Sequence, residues 1–63
     1  MSHKMLEFCG IFKLETTKAY LIDMDEGEIW FPKSQISFQY EPYENEEFCF
    51  EIPEWLAYEK ELI

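Results

Sequence analysis

The chain has 63 residues, which is room for one small domain spanning residues 1–63. It carries 14 acidic residues against five lysines and no arginine, and its formal net charge is −9. Affinity for nucleic acids comes largely from Lys and Arg contacts with phosphates, and membrane surfaces are anionic too. The charge therefore disfavours direct nucleic-acid binding and a membrane role, and it leaves two interpretations: a protein partner of basic character, or a charge that serves solubility alone.

The first predicted strand is Met5–Glu15, in which Leu6, Phe8 and Phe12 alternate with less apolar residues. A period of two is typical of a half-buried strand. Gly10 falls on the apolar face, and a glycine inside a strand often marks a bulge or a bend.

The next segment, Lys18–Met24, is apolar on both faces, which indicates a central strand. An acidic turn around Gly27 follows, and then a short strand that ends at Pro32, since proline cannot donate a ladder hydrogen bond. Residues 33–36 suit one 3₁₀ turn that returns Ile36 to the core.

Two further strands are predicted in the second half of the chain. In residues 37–43, Phe38 and Tyr40 share one side, and after an acidic loop Phe48, Phe50 and Ile52 share another. Short strands at this spacing suggest a small barrel or a strongly bent sheet.

A short amphipathic helix is predicted from Pro53 to the C-terminus, because proline is common at a first helical position. Trp55, Tyr58 and Leu62 recur at spacings of three and four, and we expect this face to dock on the sheet. The predicted fold is therefore mainly β: a five-stranded bent sheet or barrel, SH3-like or OB-like, with a short C-terminal helix.

The cysteines, Cys9 and Cys49, form no zinc-binding or CxxC pattern. General burial and compartment rules favour two reduced thiols over a disulfide. No apolar run approaches the roughly 18 residues of a membrane span, and the N-terminus lacks the apolar core of a signal peptide. We therefore expect a cytoplasmic protein.

The sequence offers little for catalysis, metal binding or a cofactor, and we predict none of them. The single histidine has no candidate partners for a catalytic triad. The acidic run from Asp23 to Glu28 does not fit a calcium loop, because Gly27 falls one position too early in the pattern. A solvated hairpin turn is the favoured interpretation of this run.

Trp30 is the main candidate for a contact residue. In an alternating strand it points away from Ile29 and Phe31. The favoured interpretation packs Trp30 under the helix against Trp55, and the alternative exposes it as a contact for a partner protein. The predicted partner-binding surface is Trp30, Lys33 and Gln35 with the acids Asp25, Glu26 and Glu28.

The segments "KAYLIDMDEGEIWFPKSQI" and "EIPEWLAYEKELI" resemble a group of small phage and prophage proteins, over roughly residues 18–63. The residues that carry the resemblance are Lys18, Ala19, Trp30, Pro32, Lys33, Ser34, Gln35, Ile36, Pro53, Trp55, Leu56 and Ala57. The resemblance implies a viral or mobile-element setting and no particular chemistry.

Three functions follow as hypotheses. The first is a non-catalytic, phage-type interaction module, which includes the case of a homo-oligomer. The second is an acidic inhibitor that occupies the nucleic-acid channel of a host enzyme, in the manner of an anti-CRISPR protein. The third and least favoured is a single-stranded nucleic-acid binder built on aromatic stacking.

Overall fold

The computed structural model describes residues 4–63. In these residues the chain forms a four-stranded antiparallel sheet, in the strand order β3-β2-β1-β4, and a short helix. In chain order the elements are β1 (Met5–Glu15), β2 (Ala19–Met24), β3 (Gly27–Pro32), a 3₁₀ turn (Lys33–Gln35), β4 (Glu47–Pro53) and α1 (Glu54–Glu59). The prediction of a mainly β fold with a short C-terminal helix is confirmed.

The long strand β1 pairs with two different neighbours along its length. Its N-terminal part, from Met5 to Ile11, pairs with β4, and its C-terminal part, from Ile11 to Glu15, pairs with β2. The register with β2 shifts between Phe12 and Leu14. A bulge of this kind bends a strand and increases its twist, so the sheet curves strongly along β1.

Gly10 allows β2 to approach β1 closely. A Cβ atom at this position would lie 2.7 Å from both Ile22 Cγ2 and Met24 Sδ, and 2.9 Å from the carbonyl oxygen of Asp23. The two side chains could rotate, but the backbone oxygen could not move without disturbing the ladder. Glycine is therefore required here by close packing.

The concave face of the sheet and one side of α1 enclose the core. Its buried residues are Phe12, Tyr20, Ile22, Met24, Phe31, Phe50, Ile52, Leu56 and Ala57. The rings of Phe31 on β3 and Phe50 on β4 have centroids 5.1 Å apart, although these strands are at opposite edges of the sheet. This contact requires strong curvature, and such ring pairs are worth about 0.5–1.5 kcal/mol beyond their buried area.

The prediction of a fifth strand over residues 37–43 is wrong beyond its first residue. Ser37 N–H donates to the Glu51 carbonyl at 2.9 Å and Glu51 N–H donates to the Ser37 carbonyl at 2.7 Å, which forms an isolated bridge at the outer edge of β4. The Tyr40 side chain is 80% exposed. Alternation of Phe38 and Tyr40 resembles a strand, but a strand also needs a continuous partner ladder. Within residues 4–63 the sheet is not closed into a barrel.

Helix α1 docks through a face other than the predicted one. Leu56 and Ala57 are buried, whereas Trp55 is 47% exposed and Tyr58 is 63% exposed. Leu62, whose N–H donates to the Ala57 carbonyl at 2.9 Å, is the member of the predicted face that packs on the core. The prediction followed the large aromatic side chains, whereas the smaller Leu56 and Ala57 are the residues of this six-residue helix that are buried.

Cys9 and Cys49 are joined by a disulfide bond, so the expectation of reduced thiols is wrong for this structure. The two residues are 40 positions apart in sequence but lie directly opposite each other in the β1–β4 ladder, with Cα atoms 4.0 Å apart. Both side chains are exposed on the outer face of the sheet. The proximity follows from long-range strand pairing, of which the local sequence around each cysteine gives no sign.

Candidate functional site

A row of apolar side chains crosses three strands on the outer face of the sheet, away from the core. Leu14 on β1 lies opposite Leu21 on β2, and Leu21 lies opposite Trp30 on β3. Leu14 is 45% exposed, Trp30 is 43% exposed, and Leu21 between them is half-buried. Residues directly opposite each other have Cβ atoms about 4.5–5.5 Å apart. The three side chains therefore form a continuous surface, which we name the Trp30 strip.

Strand alternation places Trp30 in this strip. Its neighbour Phe31 is fully buried on the inner face, so Trp30 must point outward. The favoured expectation that Trp30 packs under the helix against Trp55 is wrong, because α1 covers the inner face and both tryptophans are substantially exposed.

An acidic row runs beside the Trp30 strip on the same face. Asp23 lies opposite Glu28 on one side and Ile11 on the other, and Ile11 lies opposite Glu47. Asp23 and Glu28 are each two residues from a member of the strip, which is about 7 Å along a strand. The strip therefore has carboxylates along one side.

Acids also face each other directly across strands. Asp23 is opposite Glu28, and Glu7 on β1 is opposite Glu51 on β4. Like charges in directly opposite positions destabilise a sheet. These pairs give the outer face a negative potential and cost the fold some stability.

Asp25 and Glu26 occupy the turn between β2 and β3. Both are exposed, and the turn is closed by the Met24–Gly27 pair, with Gly27 at φ +116°. This backbone conformation suits glycine. The two acids lie at the end of β3 nearer to the acidic row.

Lys33 and Gln35 lie beyond the opposite end of β3, in the 3₁₀ turn, and both are half-buried. Lys33 Nζ lies 2.5 Å from Glu15 Oε2 and 5.0 Å from the centre of the Tyr20 ring. The hydrogen bond from Lys33 to Glu15 raises the pKa of Lys33. The charge of Lys33 is therefore already paired with the Glu15 carboxylate within the protein.

The six predicted contact residues thus extend along β3 and past both its ends. From Gly27 to Pro32 the strand rises about 17 Å. Glu28 and Trp30 share the outer face, Asp25 and Glu26 lie at one end, and Lys33 with Gln35 lies at the other. Leu14 and Leu21 were not predicted as members of the surface. The apolar outer face of β2 was a signal for Leu21, but the register that aligns it with Leu14 comes from the fold.

In residues 4–63 no group of three or more His, Cys, Asp or Glu side chains is arranged to hold a metal ion. None of the helices described has the length and apolarity to cross a membrane.

Comparisons of the chain with models of protein families, with curated proteins and with solved structures return no match. The resemblance to phage and prophage proteins therefore stays a prediction.

Proposed function

We propose that this protein is a non-catalytic interaction module that binds a basic, amphipathic segment of a partner protein through the Trp30 strip. The observation that supports this proposal is the exposed cross-strand row of Leu14, Leu21 and Trp30, bordered by Asp23 and Glu28. Tryptophan is enriched among the residues that dominate interface energetics. Carboxylates beside an apolar contact attract Lys and Arg and repel acidic competitors.

The exposed apolar surface of the Trp30 strip is large enough to form the centre of an interface with a partner protein. Covering the exposed part of Trp30 removes roughly 100 Å² of largely apolar surface from water, which is worth about 2.5 kcal/mol. Leu14, which is 45% exposed, adds further apolar surface that a partner would remove from water. Truncating Trp30 is therefore expected to weaken binding by about 50-fold or more.

The proposal is tested by calorimetric titration with a short amphipathic peptide of alternating lysine and leucine as the probe. Wild-type protein should bind it, and Trp30→Ser should lose most of the affinity. Tyr58→Ser is the matched control, because this aromatic ring is 63% exposed but lies on α1, away from the strip. Equal affinity of wild type and Trp30→Ser would contradict the proposal.

The second candidate function is an acidic inhibitor of a nucleic-acid-binding enzyme. The observation that favours it is that two pairs of acids lie directly opposite each other, Asp23 with Glu28 and Glu7 with Glu51. Such pairs cost stability, and a functional use of the negative charge would explain why they are present. Neutralising all four acids should abolish inhibition of such an enzyme while Trp30→Ser preserves it. The reverse pattern would favour the first function.

The proposal also covers the fold type, the biological setting, the cellular location and the oligomeric state. An SH3-like or OB-like arrangement is supported by the bridge from Ser37 to Glu51, which brings the chain after β3 to the outer edge of β4. A phage or prophage setting and a cytoplasmic location are part of the same proposal, and an interaction module of this kind includes the case of a homo-oligomer that associates away from the acidic β4 edge. Light scattering tests the last of these, because a particle heavier than 7.7 kDa is expected of an oligomer.

A further inference from the structure

Among residues 4–63, no backbone partner pairs with the outer edge of β4 beyond the Ser37 bridge. Both the N–H and the carbonyl of Glu51 bond to Ser37. Residues two apart in an antiparallel strand direct these groups to the same side, so those of Cys49 and Glu47 also point to this edge. Consistently, the Glu46 carbonyl accepts a hydrogen bond from Phe12 N–H on β1, the opposite side.

A groove separates this edge from the loop of residues 38–46. The loop is held at one end by the Ser37–Glu51 bridge and at the other by Asn45 N–H, which donates to the Phe12 carbonyl at 2.7 Å. The space between has a volume of about 780 Å³ and is open to solvent. Ligand sites typically fall between about 300 and 1,000 Å³. Because both ends of the loop are anchored, the groove exists before any ligand arrives.

The groove combines large exposed rings with negative charge. The Tyr40 side chain is 80% exposed and that of Tyr43 is 73% exposed. Five carboxylates also line it: Glu7, Glu41, Glu46, Glu47 and Glu51. Rings of this type attract Lys and Arg through cation–π contacts, which adds to the attraction of the carboxylates.

We propose that this groove binds an extended, lysine- or arginine-rich segment of a partner protein, which adds to the sheet as a strand along the outer edge of β4. The backbone of the segment would pair with Cys49 and Glu47, and its basic side chains would meet the carboxylates and the tyrosine rings. Strand addition to an exposed edge is a common mode of peptide recognition. This site is separate from the Trp30 strip and does not depend on it.

The charge selects this occupant over the alternatives. A second copy of the chain also carries −9, and pairing two β4 edges would bring Glu47 and Glu51 of both copies together. A nucleic acid would place phosphates against five carboxylates. Both cases are repulsive, whereas a basic segment is attracted.

Amide hydrogen exchange measured by NMR tests the proposal, with a short alternating lysine–valine peptide as the probe. In the free protein the amides of Cys49 and Glu47 should exchange quickly, while those of Phe48 and Phe50 are protected by β1. Added peptide should slow exchange at Cys49 and Glu47 by at least about tenfold, because a hydrogen-bonded amide exchanges only when its bond opens. A peptide that binds without this protection would overturn strand addition.

Two controls separate backbone pairing from general electrostatic attraction. The same peptide with every backbone amide N-methylated keeps its charge and side chains but cannot donate to the edge, so its affinity should fall sharply; equal affinity would overturn the proposal.

The double variant Tyr40→Ser, Tyr43→Ser should bind the unmodified peptide about tenfold more weakly, and unchanged affinity would remove the tyrosines from the site. Trp30→Ser should leave the protection unchanged, so failure of the Trp30 strip and failure of this groove can be told apart.

Discussion

Cys9 on β1 and Cys49 on β4 lie directly opposite each other and are joined by a disulfide bond across a sequence separation of 40 residues. The bond ties the N-terminal half of the longest strand to the last strand. Because both side chains are exposed on the outer face, the bond is open to reductants in solution.

Reduction of this disulfide should lower the free energy of unfolding by about 2–4 kcal/mol, since cross-linking residues this far apart restricts the unfolded chain. The measurement is urea unfolding with and without dithiothreitol, with alkylation and mass spectrometry to count free thiols. The double variant Cys9→Ser, Cys49→Ser is the control and should not respond to the reductant. An unchanged wild-type midpoint after complete reduction would contradict the prediction.

The disulfide also bears on the predicted cytoplasmic location. Disulfides persist in oxidising compartments and are rare in the reducing cytosol. A cytoplasmic protein should therefore contain two free thiols when it is alkylated directly in intact cells. Recovery of the bonded form from the cytosol would mean that the bond resists the reducing pool.

Substitution of Gly10 by alanine should destabilise the protein by about 1–3 kcal/mol, the usual cost of overpacking. The added methyl would lie 2.9 Å from the Asp23 carbonyl oxygen, which is fixed in the β2 backbone. Urea unfolding measures the effect. Gly27→Ala gives a useful comparison, since a Cβ there meets no atom within 4 Å and any cost comes from its φ of +116° instead. A Gly10→Ala protein as stable as wild type would show that β1 can move away from β2.

Phe31→Ala and Trp30→Ala should differ widely in stability although the residues are adjacent. Phe31 is fully buried, so its truncation should cost about 3–5 kcal/mol. Trp30 is 43% exposed on the outer face, and its truncation should cost about 1 kcal/mol. Chemical unfolding of both variants measures the difference. Similar losses at the two positions would place Trp30 in the core.

Stability should fall as the pH rises above about 10, and Tyr20→Phe should reduce this fall. Burial raises the pKa of Tyr20, and the charges of Glu41 and Glu15 raise it further. The unfolded chain therefore ionises at this position at a lower pH than the folded protein does, so stability present below about pH 10 is lost as the pH rises through the folded pKa. The raised pKa of Lys33 acts in the same direction, because its paired, charged form is lost only at alkaline pH.

Urea midpoints measured between neutral pH and pH 11 check this prediction. Phenylalanine keeps the ring contacts of Tyr20 with Phe12 and Phe38, at 5.8 and 5.5 Å between centroids, and removes only the ionising group. Tyr43→Phe is the matched control, since this ring is 73% exposed. Equal alkaline losses in wild type and Tyr20→Phe would contradict the assignment.

Local patterns predicted the strands that the structure contains. The alternation of Leu6 and Phe8 identified β1, and the position of Pro32 marked the end of β3. The same alternation misled at Phe38 and Tyr40, where the chain meets β4 at Ser37 and then leaves its edge. Periodicity describes one chain segment, whereas a strand also depends on a partner that the segment does not encode.

The candidate site could not be predicted from local sequence patterns, because it depends on which strands pair and in which register. The exposure of Trp30 follows from strand alternation, because its neighbour Phe31 is buried. The alignment of Trp30 with Leu21 and Leu14, however, depends on the registers of two ladders and on the bulge in β1. The disulfide depends on the β1–β4 register in the same way. Such registers are fixed by packing of the whole core, so spacing in the sequence does not reveal them.

The most direct test of the account is a fluorescence titration in a Trp55→Phe background, where Trp30 is the remaining tryptophan. The probe is the alternating lysine–leucine peptide at low salt. We expect saturable binding with a blue shift of the Trp30 emission, weakened by added salt and by Asp23→Asn with Glu28→Gln. An emission spectrum that stays unchanged while calorimetry records binding would show that the partner contacts another surface, and would contradict the central claim.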